Sequence, residues 1–152
     1  MTITKITLQT YDEAITLVKR VFMKFEAPEY PEEGIKTFMD FVDNKAEASQ
    51  LEMYGAFVDN TLAGIIATRM SGKHISLFFV DEKYQGRGIG SALMKYMINR
   101  NENEYITVNS SPYAVEIYKN LGFKAMDKEK ITDGIRYTPM KYRNTGMTDF
   151  NN

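Results

Sequence analysis

The stretch that decides the fold runs from His74 to Met97. It opens with His74-Ile-Ser-Leu-Phe-Phe-Val80 and a polar link, Asp81-Glu-Lys-Tyr84. The loop Gln85-Gly86-Arg87-Gly88-Ile89-Gly90-Ser91 follows, leading into a run that buries Ile89, Leu93, Tyr96 and Met97 at helical spacing. The first seven residues are almost continuously apolar, as in a central strand covered on both faces. Glycines between a strand and a helix let backbone approach a ligand closely, and free amides at a helix N-terminus favour phosphate oxygens. Arg87 adds a fixed positive charge. Two common phosphate loops are excluded: no lysine stands where GxxxxGK[ST] needs one, and Ser91 occupies the third glycine of GxGxxG. A tight strand-to-helix turn that holds no ligand is the simpler alternative for these glycines.

Outward from this stretch the chain alternates between two periods. Residues 2–8 read as a first strand. Thr10 and Glu13 have the spacing of a capping box, ahead of a helical face made by Ala14, Leu17, Val18, Val21, Phe22 and Phe25. Residues 26–31 break that helix, and a second starts near Pro31 with Ile35, Phe38, Met39 and Val42 inward. Residues 51–58 and 62–69 alternate with period two around the hairpin signal Asp59-Asn60. After the helix that follows the glycine loop come a strand over 105–108 and a helix capped by Ser111, led by Pro112 and stopped by Gly122. Strands over 123–131 and 135–142 follow, joined by the turn at Asp133-Gly134. The expectation is one α/β (α+β) domain over 1–143, a mixed sheet of about seven strands flanked by about four helices, with a frayed polar tail over 144–152.

Composition narrows the chemistry. The 152 residues include no cysteine and one histidine, His74, and the formal net charge is −1. A thiolate nucleophile, a disulfide framework and a Cys/His zinc site are excluded. The near-neutral charge argues against a nucleic-acid partner. No apolar run approaches the ~20 residues of a membrane span, and a cytoplasmic location is expected. His74, beside a turn, reads as an exposed turn residue.

LFFVDEKYQGRGIGSALMKYM resembles the pyrophosphate-binding signature of the GNAT superfamily of N-acetyltransferases, a Q/R-x-x-G-x-G/A motif that falls here on Gln85, Gly88 and Gly90. VNSSPYAVEIYKNLGF resembles the block that follows in that superfamily, and the order of elements agrees over almost the whole chain. The resemblance implies a single-domain GNAT-like fold, mostly antiparallel, with acetyl-CoA as cosubstrate and no metal. It implies that the backbone of Phe78, Phe79 and Val80 pairs with the pantetheine arm. The amides of Gln85, Gly86, Arg87, Gly88, Ile89, Gly90 and Ser91 would then hold the pyrophosphate. Asn109 would bond the pantetheine, and Tyr118 would contact the cofactor and donate a proton to the departing thiolate. Read from its own helix, Tyr118 is equally a core residue beside Ala114, Ile117 and Leu121.

Many relatives carry an acidic or polar residue three positions before the last valine of the strand; here that residue is Leu77, and the general base stays unassigned. Glu52, Tyr54, Glu26 and Glu29 are candidates. The loop FEAPEYPEEG also places carboxylates where they would attract a cationic amine, although Glu32 and Glu33 suit a helix N-terminus equally well. The expected activity is direct acetyl transfer to a primary amine, small molecules being the favoured acceptors. Direct transfer is favoured because there is no cysteine to carry a covalent acetyl group. The alternatives are an acyltransferase acting on peptide or protein amines and a noncatalytic CoA-binding sensor or recruitment module. The resemblance also allows a homodimer.

Overall fold

The computed structural model describes residues 1–145. Strand β1 spans Thr2–Lys5, and helix α1 spans Tyr11–Val21. Thr10 precedes α1 but makes no side-chain cap to it; its hydroxyl turns back to the backbone of Thr7, so the predicted capping box does not form. The end of α1 widens into a π-helical turn, Phe22–Glu26, and then tightens into a 3-10 turn, Ala27–Glu29. Helices α2 (Glu32–Asp43) and α3 (Lys45–Ala48) follow, then strands β2 (Glu52–Val58), β3 (Thr61–Arg69) and β4 (His74–Val80). Asp59 and Asn60 both have positive φ, as the hairpin signal demands. Helix α4 spans Ile89–Asn99, β5 Tyr105–Ser110 and α5 Val115–Asn120. The strand expected over 123–131 is divided into β6 (Lys124–Ala125) and β7 (Lys130–Thr132), and β8 spans Ile135–Arg143. That division makes eight strands rather than seven. The α4 face also differs from expectation: Met94 is buried, while Tyr96 is only partly covered.

The main path of the sheet runs β1-β2-β3-β4-β5-β8-β6, with β7 paired to β8, and β4–β5 is its parallel pair. One apolar core lies under α1 and α2, around Phe22, Val18, Val42, Leu77 and Phe79. A second lies under α4 and α5, around Leu93, Met94, Ile106, Tyr118 and Phe123. The double coverage explains why β4 reads as an unbroken apolar run. A register shift opposite Ala67 and Thr68 leaves Ser76 as an extra residue in β4. This bulge reverses the alternation of the strand, because Ile75 belongs to the second core while Leu77 and Phe79 belong to the first.

Strands β4 and β5 pair only at His74 with Thr107 and Ile75 with Val108. Beyond these residues β4 stays hydrogen-bonded to β3 as far as Val80, whereas β5 pairs with β8. The β5-facing edge of residues 76–80 is therefore without a strand partner. The sheet opens at its centre, and both cores border the gap. Asn144 is buried, its side chain donating to the Asn101 carbonyl at 2.9 Å and its amide to the Glu104 carbonyl at 2.7 Å. The rest of the expected tail, from residue 146, lies outside the described residues.

Candidate active site

Two cavities meet in the gap. The first, ≈ 390 Å³, is lined by Val80, Tyr84, Gln85, Gly86, Gly88, Ile89, Gly90 and Ser91 on one side and by Tyr113, Ile117 and Leu121 on the other. The second, ≈ 350 Å³, lies between α2 and the β4–β5 pair. Glu26, Phe78, Phe79 and Ala114 border both.

The loop at the first cavity is shaped by its glycines for two different reasons. Gly86 and Gly88 have φ of 76° and 81°, and a Cβ on either would meet nothing within 4 Å. Their need is backbone conformation, and the space beside them is open to a ligand. Gly90 instead packs: a Cβ there would lie 3.3 Å from the Phe78 ring, so its absence lets α4 settle onto β4. Gly88 caps α4 without a side-chain bond, which leaves first-turn amides free for an anion. The approach to the loop is anchored. Asp81 is buried, pairs with Arg20 and accepts from the Lys83 amide at 2.9 Å, while Gln85 Nε2 donates to the Val80 carbonyl at 3.0 Å. Arg87 lies over the Tyr84 ring, 5.2 Å from its centroid, and is not part of the cavity lining.

Tyr118 lies at the inner end of the gap, 5% exposed, its ring against Phe78 and Phe123 at centroid separations of 5.8 and 5.3 Å. It lines the second cavity, as does Asn109. Burial first, and the charge of Glu26 second, push its phenol well above the ordinary range, so it stays protonated at any physiological pH. Its helix is less uniformly apolar than expected, since Ile117 is exposed at the mouth of the first cavity.

Of the candidate bases, the structure brings only Glu26 between the two cavities. Glu52 and Tyr54 bond one another at 2.7 Å and line neither. Glu29 also lines neither; its carbonyl accepts from Arg136 Nη1 at 2.9 Å. Glu26 ends the π-helical turn, which re-aims the chain after α1. Burial pushes its carboxyl up to about 7; the Ser111 hydroxyl facing it opposes the rise, and Glu29 adds to it. Leu77, where relatives often place a polar group, is 2% exposed in the first core.

His74 corrects a sequence expectation. It is 9% exposed rather than a turn residue, because the β3–β4 turn ends before it and β5 covers it. Its Nδ1 lies 2.8 Å from Thr107 Oγ1, and that hydroxyl also lies 3.3 Å from the Lys73 carbonyl oxygen. Burial first, and Arg69 second, hold its pKa down to about 4. No sequence signal marked Arg69, Phe38 or Phe41 as site residues, yet all three line the second cavity, together with Tyr30 of the loop FEAPEYPEEG. Among the described residues no group of three His, Asp or Glu side chains could hold a metal.

Residues 26–144 match the family described as Acetyltransferase (GNAT) domain. The chain belongs to the GNAT acetyltransferases. As a GNAT acetyltransferase it is an acyltransferase, and its mixed sheet with eight strands and five helices is the fold of that family. It is 25% identical over 104 residues, 62% of this chain and 72% of the relative, to the peptidyl-lysine N-acetyltransferase YjaB of Salmonella typhimurium. Among solved structures, the GCN5-related N-acetyltransferase of Rhodopseudomonas palustris superposes with a TM-score of 0.78 at 19% identity, covering 93% of this chain and 94% of that one. The PaiA N-acetyltransferase of Thermoplasma acidophilum, determined with coenzyme A, gives 0.67 at 20% identity, covering 94% and 99%. No helix among the described residues is long and apolar enough to cross a membrane.

Proposed function

We propose that this acetyltransferase takes acetyl-CoA as donor and passes the acetyl group directly to a primary amine, without a covalent acetyl-enzyme. The observation that carries the reading is the junction of the two cavities. A glycine loop at the start of α4 opens one of them, an unpaired strand edge crosses the gap, and a buried tyrosine and the Glu26 carboxylate both line the other.

Chain residues divide the work. First-turn amides of α4 and the loop from Gln85 to Ser91 hold the pyrophosphate. The free edge of Phe78, Phe79 and Val80 pairs with pantetheine amides, and Asn109 bonds the arm from the β5 side. Tyr118 donates a hydrogen bond to the sulfur as charge develops on it. Its raised pKa makes it a poor net acid, so its hydroxyl relays a proton taken from the attacking nitrogen rather than losing its own for long. Small-molecule amines are the favoured acceptors because the second cavity is walled on several sides. A cytoplasmic location, suggested by the cysteine-free composition, belongs to the same proposal.

Thiol release from acetyl-CoA with a panel of amines tests this reading. Acceptor-dependent release that falls about 100-fold in Tyr118→Phe, with CoA affinity unchanged, is the expected result. CoA binding without acceptor-dependent release across small-molecule and peptide amines would establish a noncatalytic module instead.

A further inference from the structure

The second cavity has an unusual charge layout for its size. Glu26 stands where it meets the cofactor side, and Arg69 stands at its other end, beside His74. Arg69 is exposed, and its guanidinium makes no ion pair or hydrogen bond with any other described residue. Between the two charges the walls are aromatic: Tyr30, Phe38, Phe41, Phe78 and Phe79. A guanidinium without a carboxylate partner, facing a cavity, is complementary to a planar anion. A carboxylate at the cofactor end is complementary to an ammonium.

We propose that the acceptor is an anionic primary amine, its amino group delivered to Glu26 and its carboxylate or phosphate held by Arg69, with an apolar spacer between them. This inference rests on the acetyl-transfer reading above. The spacer follows from the strand. Arg69 pairs with His74 and Ile66 with Phe78, which lines both cavities together with Glu26, and the three steps along β3 between these pairings span about 10 Å. The aromatic side chains lining the cavity between these two places suit a ligand whose charges are separated by an apolar segment.

Glu26 is the base in this arrangement. It is faced by Glu29 and Tyr30 from its own loop, by Ser111 and Tyr113 from the β5–α5 connection, and by Tyr118 from α5, while β4 offers it only Phe78 and Phe79. No cation among these groups holds the carboxylate as a fixed ion pair, so it is available to an incoming ammonium. One ammonium proton passes to Glu26. The freed nitrogen bonds to the thioester carbonyl carbon, the carbon–sulfur bond breaks, and a second nitrogen proton ends on sulfur through Tyr118. The products are the amide and the CoA thiol, and Glu26 returns its proton to solvent.

The test compares 6-aminohexanoate and 6-aminohexyl phosphate with hexylamine, by thiol release and by calorimetric binding to the CoA-saturated protein. One charge-assisted contact predicts that the wild type favours an anionic acceptor over hexylamine by about tenfold or more in kcat/KM. Arg69→Gln removes the preference by lowering kcat/KM for the anionic acceptors much more than for hexylamine, and Arg69→Lys restores part of it. Which anion loses more in Arg69→Gln tells carboxylate from phosphate. Glu26→Gln lowers kcat about 100-fold with every acceptor and abolishes the rise of kcat/KM with pH near 7. Equal use of charged and uncharged amines, an Arg69→Gln loss shared by both, or turnover confined to peptide lysines would overturn the inference. If no amine is turned over, the transfer reading fails by itself. Binding of the anionic amines, lost in Arg69→Gln, would still support the pocket, and absence of that binding would reject it.

Discussion

The two cavities on either side of Phe78 and Phe79 are built differently. The first cavity takes much of its polar lining from one short segment, residues 84–91, with Glu26, Tyr113 and Asn120 added from elsewhere. Its geometry depends on two glycines at positive φ and a third that lets α4 touch β4. The second cavity takes side chains from α2, β3, β4, β5, α5 and β8 and from the loop after α1. Its roof is held by a contact between distant backbones, where a Cβ on Gly34 would lie 2.1 Å from the Gly134 carbonyl oxygen. Thr37 fastens the same place, donating to the Asp133 carbonyl at 2.8 Å, and Arg136 ties the β7–β8 hairpin to the Glu29 carbonyl. A local device can therefore be damaged locally, whereas the acceptor side is sensitive to how separate elements dock.

The largest expected effect falls where the cavities meet. Tyr118→Phe removes only the hydroxyl, keeps the ring contacts with Phe78 and Phe123, and should reduce kcat by about 100-fold while melting temperature and CoA affinity hold. Equal losses in CoA affinity and kcat would mean that Tyr118 serves the cofactor side alone.

Gly34→Ala acts on the acceptor side without touching the loop. No flexible side chain can yield there, since the clash is with backbone, and a loss of about 2–3 kcal/mol in unfolding free energy is expected. Acceptor KM should rise while the CoA dissociation constant stays put. A parallel change in CoA affinity would show that the cavities are mechanically one.

His74 sharpens the comparison through pH. Its folded pKa, held down to about 4, lies below the unfolded value near 6.5, so the unfolded chain binds more protons between those limits. Stability should be intact above pH 6.5 and fall by about 2 kcal/mol as pH drops towards 4. His74→Gln should flatten that portion of a denaturant-midpoint profile; an unchanged profile would place the imidazole in water.

The smallest effect belongs to the loop. Gly88→Ala forces a left-handed backbone on a residue with a Cβ, at a cost of about 1 kcal/mol, and should weaken CoA binding about fivefold with little change in acceptor preference. A change in acceptor preference would contradict the separation of the two sides.

Much of the fold was legible because its signals are short. The period-two runs of β2 and β3, the Asp59-Asn60 turn, the Pro31 and Gly122 boundaries and the apolar β4 all declare themselves within a few residues. The misreadings also have physical reasons. Thr10 found a nearer partner in Thr7 than in the first turn of α1. Residues 123–131 carry the charged run Asp127-Lys-Glu-Lys130 in their middle, which disfavours one continuous strand, and they pair with β8 towards their two ends. Met94 displaced Tyr96 from the α4 face, since Tyr96 packs against Tyr54 and beneath Arg100 at the surface.

The site divides along the same line. By itself the sequence determined the glycine loop, the strand before it and the position of Tyr118, because backbone conformation and helix punctuation are properties of neighbouring residues. Only the tertiary structure decided that Glu26, rather than Glu29 or Glu52, enters the gap, that His74 is buried and neutral, and that Arg69 lines the second cavity with no side-chain partner among the described residues. Those outcomes depend on which segments meet and on how much water their meeting removes. Desolvation and apposition across the sheet are not written in any local window of the chain.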